Sequence, residues 1–169
     1  MSREHRERGK HRELLVGTPA EVLTKIARGD PLRLRRAIAA SLRARCQILD
    51  GDLVLVRALA VCADRADEGR AARWLLGWIR SCVEEAVDTL LEEDARPHPE
   101  ESSTSSQVER RTAFRRFNRR PHDERRAFYS LLIHRRSIDE LAHENRTSVT
   151  LCAQRARRAW LALTLDHAG

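Results

Sequence analysis

The chain has 169 residues, a length that suits one domain or two small ones, and 41% of them are hydrophobic. That fraction excludes a wholly disordered chain, although aromatic residues make up only 4% and leave leucine, alanine and valine to fill a core. The formal net charge of +7, nearly all of it from arginine, favours a polyanionic partner, unless a GC-rich genome alone explains the arginines.

The cysteines lie far apart, each within an apolar helical pattern, and none forms a Cys-x-x-Cys pair: Cys46, Cys62, Cys82 and Cys152. We therefore expect buried free thiols rather than a metal site, and we expect no cofactor. The charged N-terminus has no apolar run behind it, and no segment reaches the roughly 18 apolar residues of a membrane helix. The pattern predicts a soluble protein in the reducing cytoplasm, without membrane insertion.

Helix signals begin after a charged arm. Residues 1–13 alternate basic and acidic side chains without an apolar face, which predicts disorder. Thr18, Pro19 and Glu21 then have the spacing of a capping box with proline at the first helical position. Gly29 can end the helix that follows.

Three more helices are predicted before the middle of the chain. A cap at Asp30 opens a long helix that continues to Leu49 and breaks at Gly51. Asp52 opens the next helix. The last, from about 70 to 93, carries apolar residues at three- and four-residue spacing.

A composition change at residues 96–107 predicts a flexible linker. Two prolines are followed there by a serine- and threonine-rich run with glutamates. The linker separates a helical domain at 14–95 from a second helical domain at 108–169. The sequence therefore predicts an all-α protein made of two small helical domains.

The second domain opens with a strongly basic segment and continues through three helix signals. A helix follows Pro121, and Ser137 with Glu140 has the spacing of a second capping box. Ser148 or Thr147 can cap the last helix. The two final helices have the order of a helix-turn-helix.

The last helix has two faces. Apolar residues recur at helical spacing and are expected to pack inward: Val149, Cys152, Ala156, Ala159 or Trp160, and Leu163. Polar and basic residues occupy the other side. The predicted base-contacting residues are Ser148, Thr150, Leu151, Gln154 and Arg155. The predicted phosphate-contacting residues are Arg119, Arg120, Arg125, Arg157 and Arg158. A solvated basic face on an ordinary core helix would give the same periodicity.

The segment PHDERRAFYSLLIHRRSIDELAHENRTSVTLCAQRARRAWLAL resembles region 4 of sigma-70-type transcription initiation factors, especially the extracytoplasmic-function group. The match runs without a gap. It includes Pro121 and Arg125 before the first core helix, the Ser-x-x-Glu-Leu-Ala helix that begins at Ser137, and the closing Arg158-Ala159.

The first domain is similar, more weakly, to region 2 of the same family. The carrying segments are ARGD (27–30), GDLVLVRALAV (51–61) and ARWLLGWIRS (72–81). The resemblance implies docking of this domain on the clamp coiled coil of core RNA polymerase, with candidates Asp52, Leu53, Leu55 and Val56. It also implies capture of the promoter −10 element, with candidates Trp74, Trp78 and Arg80.

The resemblance implies a sigma factor that binds core RNA polymerase and reads the −35 element of promoter DNA with helix 148–163. A partner of the anti-sigma class, held between the two domains, is a further implied partner. Neither a nucleophile motif nor metal-ligand spacing points to an enzyme.

Departures from the family pattern keep two alternatives open. Leu55-Val56 replaces the family's Gln-Glu, and Arg146 replaces the turn glycine, so that Asn145 is expected to adopt the left-handed conformation. The helix near residue 90 is acidic, with Glu84, Glu85, Asp88, Glu92, Glu93 and Asp94, and would repel phosphate. The alternatives are a sigma-like DNA-binding regulator that does not open promoters, and a protein–protein adaptor.

Overall fold

The computed structural model describes residues 11–96 and 106–164, and these residues form helices with short connections and no strand. The all-α class is therefore confirmed. By their packing, the described residues divide into two compact units. The first contains the chain up to Ser41 together with Asp50–Glu93, and the second contains Leu42–Leu49 and the chain from Asp94 onwards.

Within the described ranges, no helix has the length and apolar character needed to cross a membrane. The predicted arm lies outside the described residues except at positions 11–13, and the predicted linker lies outside them except at 96, 106 and 107. Residues 11–14, at the junction of the arm with the first domain, are helical.

The first half of the chain forms a series of helices joined by capped turns. They are α1 (Pro19–Ala27), α2 (Leu34–Arg45), α3 (Gly51–Asp64), α4 (Ala66–Ala71) and α5 (Leu75–Ala95). The predicted helix from about 70 to 93 is thus two helices, because residues 72–74 leave the helical conformation.

The capping box at the start of α1 is confirmed. The Glu21 N–H donates to Thr18 Oγ1 at 3.4 Å, and the Thr18 N–H donates to Glu21 Oε2 at 2.9 Å. The backbone and side-chain hydrogen bonds with Thr18 lower the pKa of the Glu21 carboxyl, because both favour the charged form.

Side-chain carboxylates also start α2 and α3. Asp30 accepts from the N–H of Leu34 at 2.6 Å and from that of Arg35 at 3.2 Å, and Asp50 accepts from the N–H of Asp52 at 3.0 Å. These acceptors satisfy donors that have no partner within the helix.

The prediction that α2 continues to Leu49 is wrong. The helix ends at Arg45 because Cys46 adopts the left-handed conformation, with φ of 49°. The Gln47 N–H then donates to Leu42 O at 3.0 Å, and the Cys46 N–H donates to Arg43 O at 3.1 Å. This bond pair is the Schellman ending of a helix, formed here without glycine.

The core of the first unit comes from one apolar side of each of its longer helices. The most deeply buried side chains there are Leu15, Val22, Ile26, Leu34, Val54, Cys62, Cys82, Val83 and Val87. Cys46, Cys62, Cys82 and Cys152 are all buried free thiols, as predicted.

The second unit contains α6 (Ser106–Asn118), α7 (His122–Phe128), α8 (Ile138–Glu144) and α9 (Val149–Thr164). A π-helical turn, Tyr129–Ile133, continues α7. One cluster of buried side chains joins Phe117, Phe128 and Tyr129 to Ala159 and to Cys46. A second cluster, described below, lies between α8 and α9.

The segment Leu42–Leu49 belongs to the second unit because side chains of α6 and α7 bind its backbone. Asn118 Nδ2 donates to Ile48 O at 2.7 Å, and its Oδ1 accepts from the Ile48 N–H at 2.9 Å. Tyr129 Oη donates to Gln47 O at 2.5 Å. The predicted division at residues 14–95 and 108–169 gave this segment to the first domain.

Candidate nucleic-acid interface

The turn between α8 and α9 is fixed by backbone hydrogen bonds around Arg146. The Thr147 N–H donates to Ala142 O at 3.0 Å, and the Arg146 N–H donates to His143 O at 3.2 Å. Arg146 has φ of 48°, so it occupies the left-handed position that glycine usually takes in this motif. The turn therefore sets the exit direction of the chain into α9.

The prediction that Asn145 adopts the left-handed conformation is wrong. Asn145 has φ of −86°, and its Nδ2 donates to Leu141 O at 2.8 Å. Its side chain thus adds a second hydrogen bond to the Leu141 carbonyl, which already accepts the Asn145 N–H at 3.1 Å. The next residue, Arg146, adopts the left-handed conformation instead.

Both helices of the pair begin at a serine cap. Ser137 Oγ accepts from the Asp139 N–H at 3.3 Å, although the described contacts include no return bond from Glu140. Ser148 Oγ accepts from the Leu151 N–H at 3.2 Å, so of the two predicted caps for α9 it is Ser148 that forms. The Ser148 hydroxyl is therefore already engaged at the N-terminus of α9.

A compact apolar cluster holds α8 against α9. Its buried members are Ala127, Leu141, Ala142, Cys152 and Ala156. Small residues allow the two helices to approach closely, and Leu131 and Ile138 pack at the edge of the cluster. The inward positions Cys152, Ala156 and Ala159 agree with the prediction, whereas Val149 is exposed to 41% and Trp160 to 49%.

The outward side of α9 carries a row of exposed residues, which we call the outward row: Thr150, Ala153, Gln154 and Arg157. They recur at three- and four-residue spacing, so they lie on one side of the helix. Arg157, predicted as a phosphate contact, thus shares a side with the predicted base contacts Thr150 and Gln154. The helical spacing of residues 150, 154 and 157 is the sequence signal that could have assigned Arg157 to this side of α9.

The predicted base contact Leu151 is half-buried, and Arg155 lies on the flank of α9 that faces α7. Arg155 Nη2 lies 2.8 Å from Asp123 Oδ2. Arg120 and Arg158 both pair with the buried Glu124, at 2.7 Å and 3.6 Å. An acidic pair at the start of α7, which no sequence pattern indicated, therefore engages three of the predicted contact arginines.

The other two predicted phosphate contacts, Arg119 and Arg125, differ in how accessible their guanidinium groups are to a phosphate. Arg119 is exposed and forms no ion pair among the described residues. Arg125 is half-buried, and its guanidinium donates to the carbonyls of Arg120, Arg45 and Cys46 at 3.1, 3.3 and 2.9 Å. Burial lowers the pKa of Arg125, since it penalises the charged form. The contacts of Arg125 are those of a residue that supports the fold.

In the first unit, the residues predicted to bind polymerase lie on α3. Val56 is exposed to 65% and Leu53 to 40%, and with the exposed Ala60 they form an apolar stripe at helical spacing. Asp52 Oδ1 lies 3.0 Å from Arg35 Nη1, in an exposed pair. Leu55 instead lines a pocket of about 350 Å³, so it faces away from the stripe.

The pocket is mainly apolar and lies among α1, α3 and the start of α2. Its lining residues are Ile26, Ala27, Gly29, Asp30, Arg35, Leu55 and Leu59. Both carboxylate oxygens of Asp30 already accept backbone hydrogen bonds, and Arg35 pairs with Asp52. Its polar groups are thus engaged within the unit.

The three residues predicted to act at a −10 element do not share one environment. Trp78 is buried, with 7% of its surface exposed, and packs against Gly69, where an added Cβ would lie 2.7 Å from the indole. Trp74 is exposed to 66%, and Arg80 is exposed as well. Trp78 is therefore a core residue, and only Trp74 and Arg80 remain available at the surface.

The acidic run on α5 is partly used in ion pairs. Glu85 lies 2.8 Å from Arg65, and Glu93 lies 2.7 Å from Arg57. In the second unit, Asp94 is buried and lies 3.0 Å from Arg115. These pairs reduce the repulsion of phosphate that the sequence alone predicts for this helix.

Comparison with models of known protein families, with curated proteins and with solved structures finds no match to this chain.

Proposed function

We propose that the protein is a sigma-type transcription initiation factor whose α8–α9 pair reads duplex DNA at a −35-like element. The observation that carries this proposal is the helix-turn-helix itself. The turn at Arg146 directs α9, and the outward row presents Thr150, Gln154 and Arg157 to the solvent. Glutamine matches adenine and arginine matches guanine in the major groove.

The electrostatics of the second unit support the same proposal. Arg119 and Arg146 are exposed, and neither of them pairs with a carboxylate among the described residues. Each can bind phosphate without breaking an internal ion pair. Cations of this kind supply affinity for any DNA sequence, and the outward row adds selectivity.

The apolar stripe of α3 supports a protein partner. Exposed Leu53, Val56 and Ala60 offer the spacing by which one helix docks on another. The resemblance to region 2 makes the clamp coiled coil of core RNA polymerase the proposed partner. An anti-sigma protein is a second proposed partner.

Two substitutions test the DNA contacts. A selected duplex is first obtained from a random library with the full chain. Arg157→Ala should reduce discrimination against a base change in that duplex by about 1–3 kcal/mol, because it removes a bidentate base contact. Arg119→Ala should weaken binding to every duplex and lower the salt slope by about 0.9. This interface would be ruled out if Arg157→Ala left the discrimination between duplexes unchanged and Arg119→Ala left the salt dependence of binding unchanged.

Transcription tests the polymerase contact. The protein with core polymerase should yield transcripts from a promoter that contains the selected duplex. Val56→Glu should abolish them while duplex binding persists, because it places a charge in the apolar stripe. Val16→Glu is the matched control, since Val16 is exposed to 51% elsewhere in the first unit. Equal loss in both variants would argue against docking by α3.

A second candidate function is a DNA-binding regulator that does not open promoters. The burial of Trp78 favours it, because only Trp74 of the two candidate tryptophans remains available to stack on an unpaired base. Intact binding to the selected duplex, without transcripts from core polymerase, would support the regulator over the initiation factor.

A further inference from the structure

We propose that Asp123 is a positioning residue that holds Arg155 against α7 and keeps its charge out of contact with DNA phosphates. The inference rests on the proposed function, since it concerns the same interface. This role differs from the base contact that the sequence predicted for Arg155. The guanidinium is instead held by a carboxylate of the same unit.

The geometry separates Arg155 from the outward row. Arg155 Nη2 lies 2.8 Å from Asp123 Oδ2, and the side chains are exposed to 30% and 48%. The positions 150, 154 and 157 point to one side of α9, whereas 155 lies about 100° further round than 154. The pair thus lies on the flank of α9, to one side of the outward row.

Exposure distinguishes this pair from its neighbour. Glu124 is only 5% exposed and binds Arg120 and Arg158, so its replacement would alter a buried site as well as two ion pairs. Asp123 and Arg155 both reach solvent, and exposed ion pairs contribute little to stability. Asp123 Oδ1 also accepts the Glu124 N–H at 3.0 Å, a hydrogen bond that the amide oxygen of asparagine can make as well, so the negative charge of Asp123 acts mainly on Arg155.

The effect follows from competition between anions. A phosphate that approaches the flank of α9 must displace Asp123 before it can bind Arg155, and the carboxylate itself repels it. Without Asp123, Arg155 would add one phosphate contact to a complex with any sequence. Because phosphate contacts carry no sequence information, Asp123 limits the part of the affinity that is not selective.

The test is the salt dependence of binding to a duplex of unrelated sequence, measured with the full chain by fluorescence anisotropy. Asp123→Asn should steepen the slope of log K against log salt by about 0.9, and should tighten binding on the order of fivefold near 0.15 M salt. Asp123→Glu keeps a carboxylate and should retain most of the wild-type slope. An unchanged or shallower slope in Asp123→Asn would overturn the inference.

Two further variants show whether the effect passes through Arg155. In an Arg155→Ala background, Asp123→Asn should leave the slope unchanged, because no guanidinium is released. Glu109→Gln, on α6, makes the same charge change at an exposed residue with no ion pair among the described residues, and should also leave the slope unchanged. A steepening in either variant as large as in Asp123→Asn alone would contradict the inference.

The two proposals fail in different ways. If the wild-type chain binds no duplex at any salt concentration, the proposed function itself is wrong. If the wild type binds duplexes and Asp123→Asn binds with the same slope, only the positioning role of Asp123 is wrong. Thermal unfolding of each variant shows whether it is folded at the temperature of the binding measurement.

Discussion

Phe117 and Trp160, two aromatic residues of the second unit, differ in how deeply they are buried and therefore in how much they stabilise it. Phe117 is fully buried, and its ring centroid lies 5.0 Å from that of Phe128 in an edge-on arrangement. Trp160 stacks on Phe128 with ring centroids 6.3 Å apart but remains exposed to 49%. The apolar spacing of α9 allowed either Ala159 or Trp160 to face inward, and periodicity alone does not choose between adjacent residues.

Phe117→Ala should destabilise the second unit by about 4 kcal/mol, since it removes a large buried side chain and leaves a cavity. Trp160→Ala should cost about 1–2 kcal/mol, because much of the indole already contacts water. Urea unfolding followed by circular dichroism measures both. Equal costs would mean that Trp160 is buried in solution.

Tyr129 gives the second unit a dependence on alkaline pH. Burial raises the pKa of Tyr129 to about 12, with a further contribution from Cys46, and the hydroxyl donates to Gln47 O. An acid whose pKa is higher in the folded state stabilises the fold below its unfolded pKa near 10, and this stabilisation disappears as pH rises to about 12.

The advantage of the wild type over Tyr129→Phe should therefore shrink as pH rises from about 10 to about 12. The comparison is made by Tm at each pH, so that titrations that do not involve Tyr129 contribute equally to both proteins. A difference in Tm that stays constant across this range would show that Tyr129 does not titrate differently in the folded state.

At the scale of single elements, the sequence predicted helix starts well where a side-chain cap was recognised, whereas the start expected at Asp52 lies at Gly51, with Asp50 as its cap. The capping box of Thr18 and Glu21 and the cap at Ser148 depend on residues close in sequence, so local pattern was sufficient. The ends at Arg45 and Glu144 depend on Cys46 and Arg146 adopting positive φ, which their side chains do not favour. No local signal distinguishes such residues from those that continue a helix.

The turn of the helix-turn-helix provides a test at this scale. Arg146→Gly should stabilise the second unit by about 1 kcal/mol, because glycine adopts the left-handed conformation without the steric cost of a Cβ atom. Arg146→Ala is the matched control: it removes the same charge and keeps that cost. Thermal unfolding of both should rank the glycine variant higher, and the opposite order would mean that Arg146 is not strained.

At the scale of the whole molecule, the assignment of Leu42–Leu49 to the second unit is the feature that the sequence did not predict. Composition placed the only break between domains at the linker, since proline and serine runs are visible there. The hydrogen bonds of Asn118 and Tyr129 to this segment join residues more than 60 positions apart. Contacts at that separation leave no periodic pattern in the sequence, so they could not be predicted from it.

A fragment of residues 94–169 therefore lacks part of its own core. Cys46 packs with Phe117, Phe128 and Tyr129, and the carbonyls of residues 45–48 accept hydrogen bonds from Asn118, Arg125 and Tyr129. Without this segment, those donors lose their partners and the aromatic cluster is open to water. Both effects destabilise the folded state.

The fragment 94–169 should accordingly unfold at a lower temperature than the second unit does in the full chain. Fusion of residues 42–49 to its N-terminus through a flexible glycine–serine linker should recover most of the loss, because the segment again reaches its partners. The matched control carries the same eight residues in scrambled order, which keeps composition and linker but removes Cys46 and Ile48 from their positions. Equal melting of the two fusions in circular dichroism would show that the segment is not part of this core.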